Sequence, residues 1–166
     1  MATIKFLNGA GKYDDANALK SVIAYILQPS KTPRHIIGGK YVDLQNAVES
    51  MQAVAKHFGK DYGIRLRHFV LSFHPKEVYS AHIPIAVAEQ ICAYIGKKYQ
   101  VIYALHENTE TAHIHFVFNA VSYIDGYKYH GNKHDYYSLI SCIKSALRYS
   151  GITHLIPVKY TSDPHE

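Results

Sequence analysis

Residues 106–119 read His106-Glu107-Asn108-Thr109-Glu110-Thr111-Ala112-His113-Ile114-His115-Phe116-Val117-Phe118-Asn119, and three of them carry imidazoles. Side chains along a strand alternate between faces, so His113, His115, Val117 and Asn119 point one way. Ala112, Ile114, Phe116 and Phe118 point the other way and are apolar enough to form a core face. Two imidazoles two residues apart on a strand can converge on one metal ion. His106, at the end of the preceding run, would be brought beside them by a hairpin. Three nitrogen ligands leave positions open for substrate oxygens, as a catalytic metal requires. Taken alone, a His-x-His pair is more simply read as exposed imidazoles on a solvated strand. A second run changes that balance, because His68, Val70, Ser72 and His74 alternate with Phe69, Leu71 and Phe73. If both runs lie in one sheet with apolar faces inward, several histidines crowd one polar surface. Protonated imidazoles there would repel, so the pattern points to a metal or phosphate site.

The elements that must position these groups follow from periodicity and turn residues. Thr3 to Leu7 alternates as a strand ended by Asn8-Gly9. Ala16 to Leu27 has Leu19, Val22, Ile23 and Ile26 at helical spacing after an acidic start, and Pro29 stops it. Gln28 to Lys40, with two prolines and Gly38-Gly39, reads as a loop. Asp43 to Phe58 predicts a second helix, His68 to His74 a strand, and Ile83 to Lys98 a third helix. Val101 to His106 and Ala112 to Val121, joined by the polar Glu107 to Thr111, predict an antiparallel hairpin. Asp125-Gly126 marks a turn, and Tyr136 to Tyr149 predicts a helix closed by Gly151. His154 to Val158 fits a last short strand that Pro157 would confine to an edge. The order predicts an α+β fold, a central antiparallel sheet with helices packed on it, as one domain over residues 1–166.

Composition bounds the function. At 166 residues with 48% hydrophobic side chains, the chain can bury one substantial core. Its longest apolar runs fall far short of the roughly 20 residues a membrane helix needs. The N-terminus lacks the features of a signal peptide, and Cys92 and Cys142 have no cysteine nearby, so reduced thiols in the cytoplasm are expected. A formal charge of +5 suits a polyanionic partner, although many basic proteins have none.

His113-Ile114-His115, with His106 before it and Asn119-Ala120-Val121-Ser122 after it, resembles the third motif of the MobA/VirD-type relaxase and mobilisation nucleases, members of the HUH endonucleases. The likeness extends along most of the chain in the expected order. Residues 18–32, from Ala18 to Thr32, resemble the first motif, where the tyrosine is the nucleophile; here that is Tyr25. His68-Phe69-Val70-Leu71-Ser72-Phe73 resembles the second, and Asp125-Gly126-Tyr127-Lys128 through Tyr137 the stretch beyond the histidines. The resemblance implies a bacterial DNA relaxase that nicks one strand at a transfer origin. Tyr25 would carry the covalent 5′-phosphotyrosyl link, and His106, His113 and His115 would hold a divalent ion. Imidazole ligands favour Mn²⁺ over Mg²⁺, and Zn²⁺ also fits them. Members often have aspartate two residues after the first histidine, where this chain has Asn108, so the support around the ligands is expected to differ. Domains of this kind usually head a longer protein.

A phenol ionises near pH ~10, so a tyrosine nucleophile needs a base or a cation beside it. His68 and His74 are candidates for a base or a phosphate contact, with Ser72, Asn108 and Asn119 in supporting places. Lys31, Arg34 and Lys40 in the first long loop, and Lys128, His130 and Lys133 after Gly126, are candidate contacts to single-stranded DNA. An accessory DNA-binding protein and the conjugative coupling machinery are the partners implied. A rolling-circle replication initiator would use the same histidines and tyrosine. A metal-dependent phosphoesterase would need no Tyr25, and a noncatalytic DNA-binding module would need no metal.

Overall fold

Alternating apolar residues on five of the predicted runs assemble into one six-stranded sheet in the computed structural model, which describes residues 1–7, 11–78 and 80–158. In chain order the elements are β1 (Ala2–Phe6), α1 (Ala18–Ile26), β2 (Ile37–Lys40), α2 (Ala47–His57), β3 (Leu66–Phe73), α3 (His82–Ile95), β4 (Val101–His106), β5 (His113–Asn119), α4 (Lys133–Tyr149) and β6 (Leu155–Val158). The strand order is β2-β4-β5-β3-β1-β6, antiparallel except for the β1–β6 pair. The α+β architecture read from the sequence is therefore the one observed. Pro157 lies on an edge strand, where a missing ladder donor is tolerated. The Asn8-Gly9 turn lies outside the described residues.

Both faces of the sheet are covered. Phe69, Leu71 and Phe73 of β3 and Ile114, Phe116 and Phe118 of β5 pack with Val87, Ile91 and Ile95 of α3 and Leu139, Ile143 and Leu147 of α4. Phe69 and Phe116 stack at the centre with ring centroids 4.7 Å apart. On the opposite face Leu66, Val70, Ile102, Ala104 and Val117 meet Leu19, Ile23 and Ile26 of α1 and Met51 of α2. The histidines share this second face. His68, His106 and His115 are buried between sheet and helices there, rather than crowding a polar surface as alternation suggests.

Among the differences from the sequence reading of the strands, two concern the site. Within the stretch expected to be a loop, Ile37–Lys40 pairs with β4 as an edge strand. Gly38 and Gly39 make the approach possible, since a Cβ at Gly39 would lie 2.4 Å from the Val101 carbonyl oxygen. β3 ends at Phe73, so His74 leaves the strand and caps a short 3₁₀ turn, where its Nδ1 accepts from the Lys76 N–H at 3.2 Å. No described helix is long and apolar enough to cross a membrane.

Candidate functional site

The β4–β5 hairpin sets the register. His106 stands opposite His113 and Ala104 opposite His115, while β3 places Val70 beside His115 and Ser72 beside His113. One ring nitrogen from each of His106, His113 and His115 falls within 4.8 Å of the others. Ring centroids are 4.2 Å apart for His106 and His115, and 5.3 Å for His106 and His113. His106 and His115 are buried, and His113 is half-buried at the mouth.

Each ring has one nitrogen committed to a neighbour. His106 Nε2 lies 2.8 Å from the Ile26 carbonyl, and His113 Nδ1 lies 2.9 Å from the Thr111 carbonyl. A carbonyl only accepts, so each of these nitrogens carries the proton, and His106 Nδ1 and His113 Nε2 keep lone pairs. His115 Nδ1 lies 2.8 Å from His68 Nε2, which leaves its own Nε2 as the nitrogen available to a ligand. Burial pushes His106 down to about 4 and holds His113 and His115 below the ordinary histidine range, with Lys31 adding to the effect in all three. Neutral imidazoles whose uncommitted nitrogens converge are what a divalent transition ion requires, so these residues fit such a group.

α1 delivers Tyr25 to the same place. Its ring centroid is 6.0 Å from that of His106 and 5.7 Å from that of His115. His106 also satisfies the Ile26 carbonyl at the end of α1, where helices leave acceptors unpaired, so β4 and α1 are tied together. Lys31 Nζ sits 4.6 Å from the Tyr25 ring centroid. The Lys31 carbonyl accepts from the Glu107 N–H at 3.0 Å, which fastens this loop to the end of β4.

The remaining sequence candidates fall elsewhere. Arg34 is paired to Glu107, with Nε 2.9 Å from Oε2 and Nη2 on the other carboxylate oxygen. Asn108 is exposed in the turn between β4 and β5. Asn119 is buried at the far end of β5, about 20 Å along the strand from His113 at the usual strand rise. Its amide donates to the Met51 carbonyl and to Gln100 Oε1, both at 3.0 Å, and its Oδ1 accepts from the Val121 N–H. Lys128, His130 and Lys133 cluster near that far end: the Tyr129 N–H bonds the Ala120 carbonyl, Lys128 Nζ donates to the Tyr62 carbonyl, and His130 packs edge-on against Tyr127. Lys40 is exposed at the end of β2.

The structure also shows a contact to these histidines that sequence reasoning missed. Tyr13, on the connection between β1 and α1, has its hydroxyl 2.9 Å from His68 Nδ1. Fifty-five residues separate the pair and no motif links them, so only the folded chain reveals the contact.

A family model for the nuclease domain of MobA/VirD2-like relaxases matches residues 25–151. No curated protein and no solved structure gives a significant match.

Proposed function

The chain belongs to the MobA/VirD2-like relaxase nuclease family, and on that premise we propose that it cleaves one DNA strand by tyrosine transesterification at a transfer origin. The observation that carries this reading is the convergence of three imidazole nitrogens within 4.8 Å, beside the ring of Tyr25. DNA nicking is the family's activity, and the family is metal-dependent. His106, His113 and His115 would hold the ion, which supplies charge stabilisation to the nonbridging oxygens of the scissile phosphate when bound.

The chain's own residues perform the rest. The Tyr25 hydroxyl attacks phosphorus in line, its proton leaves, the P–O3′ bond breaks, and the departing 3′ oxygen takes up a proton. The products are a 5′-phosphotyrosyl link and a free 3′-hydroxyl. Lys31 places a cation against the Tyr25 ring, where it can meet the charge of an incoming phosphate. Because one phosphodiester is exchanged for another, the reverse attack by a 3′-hydroxyl can rejoin the strand. This suits transfer and recircularisation of a mobile element's strand better than degradation. Single-stranded DNA is the substrate, approached by an accessory DNA-binding protein and the coupling machinery of conjugation.

A denaturing gel tests the reading. Labelled oligonucleotides tiled across the element's transfer region are incubated with the domain and Mn²⁺ or Mg²⁺. Wild type is expected to give a cleaved strand with a protease-sensitive adduct, and Tyr25→Phe is expected to bind DNA but form none. Cleavage without an adduct would point instead to a hydrolytic metalloenzyme. An adduct from Tyr25→Phe would move the nucleophile to another tyrosine.

A further inference from the structure

His115 differs from the other two imidazoles in what holds its committed nitrogen. His106 and His113 each donate to a backbone carbonyl, whereas His115 Nδ1 faces His68 Nε2 at 2.8 Å, and His68 Nδ1 faces the Tyr13 hydroxyl at 2.9 Å. His68 is buried on β3, and Tyr13 is held at φ 66°, a backbone region that bulky residues seldom occupy. The Tyr13 carbonyl is fixed by the Arg65 N–H at 2.8 Å. Strain of this kind is retained where the surroundings demand a particular side-chain placement.

The chain His115–His68–Tyr13 can carry its protons in either of two directions. In one, the Tyr13 O–H donates to His68 Nδ1 and His68 Nε2–H donates to His115 Nδ1. His115 then carries its proton on Nε2 and has no lone pair to offer. In the other, His115 Nδ1–H donates to His68 Nε2, and His68 Nδ1–H donates to the Tyr13 oxygen. Only this direction leaves the His115 Nε2 lone pair free.

Resting on the metal reading above, we propose that His68 is a positioning residue, which accepts the His115 Nδ1–H and so presents His115 Nε2 to the ion, with Tyr13 holding His68 in the matching tautomer. The partners of the three rings are two carbonyls and an imidazole, all without formal charge. An ion held there would therefore keep its full double charge for the phosphate, undiminished by a carboxylate behind a ligand.

The test uses Zn²⁺ as a diamagnetic probe on the whole 166-residue chain, with ¹⁵N-histidine NMR and calorimetric titration. Zinc-loaded wild type should show His115 protonated at Nδ1 and His68 protonated at Nδ1 with Nε2 bare. His68→Leu should weaken Zn²⁺ binding about 10- to 100-fold, the usual cost of losing a ligand's hydrogen-bond partner. His68→Gln should recover most of that loss, because its amide oxygen can accept the same proton. Tyr13→Phe should cost less and should shift His68 toward the Nε2–H tautomer. Equal Zn²⁺ affinity in a folded His68→Leu would overturn the proposal. If that variant does not fold, wild-type spectra with His68 protonated at Nε2 in the zinc-loaded state would overturn it instead. His115→Ala separates the two levels. Unchanged Zn²⁺ binding there sinks the metal reading itself, whereas a loss in His115→Ala with none in His68→Leu sinks only the role of His68.

Discussion

A histidine that is to bind a metal must stay neutral, and the side chains around this site arrange that by burial more than by charge. His68 is pushed down to about 3 and His106 to about 4, while His113 and His115 also lie below the ordinary 6.5, with desolvation the leading cause in each. Nearby cations deepen the effect, Lys12 at His68 and Lys31 at the other three. The sign of the linkage follows. Between pH 6.5 and about 4 the unfolded chain binds protons that the folded chain refuses, so stability rises with pH through that window. It is fully present above the unfolded histidine value and is lost as pH falls toward 4. The melting temperature of the metal-free protein should accordingly drop between pH 7 and pH 4.5. A flat profile would mean that the rings are not held neutral. Asn108, in the turn between β4 and β5, is exposed and lies outside this buried environment.

At the scale of elements, the site depends on α1, the β4–β5 hairpin and the connection between α1 and β2. The Ile26 carbonyl at the end of α1 bonds His106, and Ile36 and Lys31 accept from Leu105 and Glu107, so this segment is pinned to β4 from several points. β2 completes the attachment, and its close approach depends on Gly39. A Cβ at this position would meet the Val101 carbonyl at 2.4 Å and Val42 Cγ1 at 2.9 Å. Because the obstacle is backbone, the strand must shift to admit it. Gly39→Ala is expected to lower stability by about 1–3 kcal/mol in urea denaturation, the usual cost of overpacking. A change below about 0.5 kcal/mol would mean that β2 adjusts freely. Asn119 illustrates another use of a polar residue on the histidine face, since it joins β5 to α2 and Gln100 far from the three imidazoles.

The chain carries a formal charge of +5, and several of its cations lie toward one or other end of the hairpin. Lys31 stands at the histidine site, Lys128, His130 and Lys133 lie near the opposite end of β5, and Lys40 projects from the end of the edge strand. Arg34, tied to Glu107, is committed within the protein in the absence of DNA. A single strand that engages the site and also the loop after Gly126 must span the roughly 20 Å between the two ends of β5. Neutralising Lys40, Lys128 and Lys133 together should weaken single-stranded DNA binding. It should also flatten the salt dependence by about 0.7 in log–log slope for each phosphate contact removed. Filter binding from 50 to 200 mM salt measures this, and an unchanged slope would remove these loops from the DNA path.

Alternation and short-range motif by themselves determined the strands that carry His68 and the three site histidines, the helix that carries Tyr25, and the α+β class. Those features are local, because a period of two or of 3.6 is written in consecutive residues. Residue order could not say that the histidine face would be roofed by α1 and α2. Apolar residues lay on both sides of the alternation, and which helix covers which face is a long-range packing outcome. The edge strand β2 was hidden for a related reason, since paired glycines in a proline-bearing stretch have loop chemistry until a partner strand makes their lack of a Cβ useful. The ring tautomers lay furthest from view. They rest on the Ile26 and Thr111 carbonyls, which have no side-chain signature, and on Tyr13, which reaches His68 only once the sheet has closed the 55-residue gap between them.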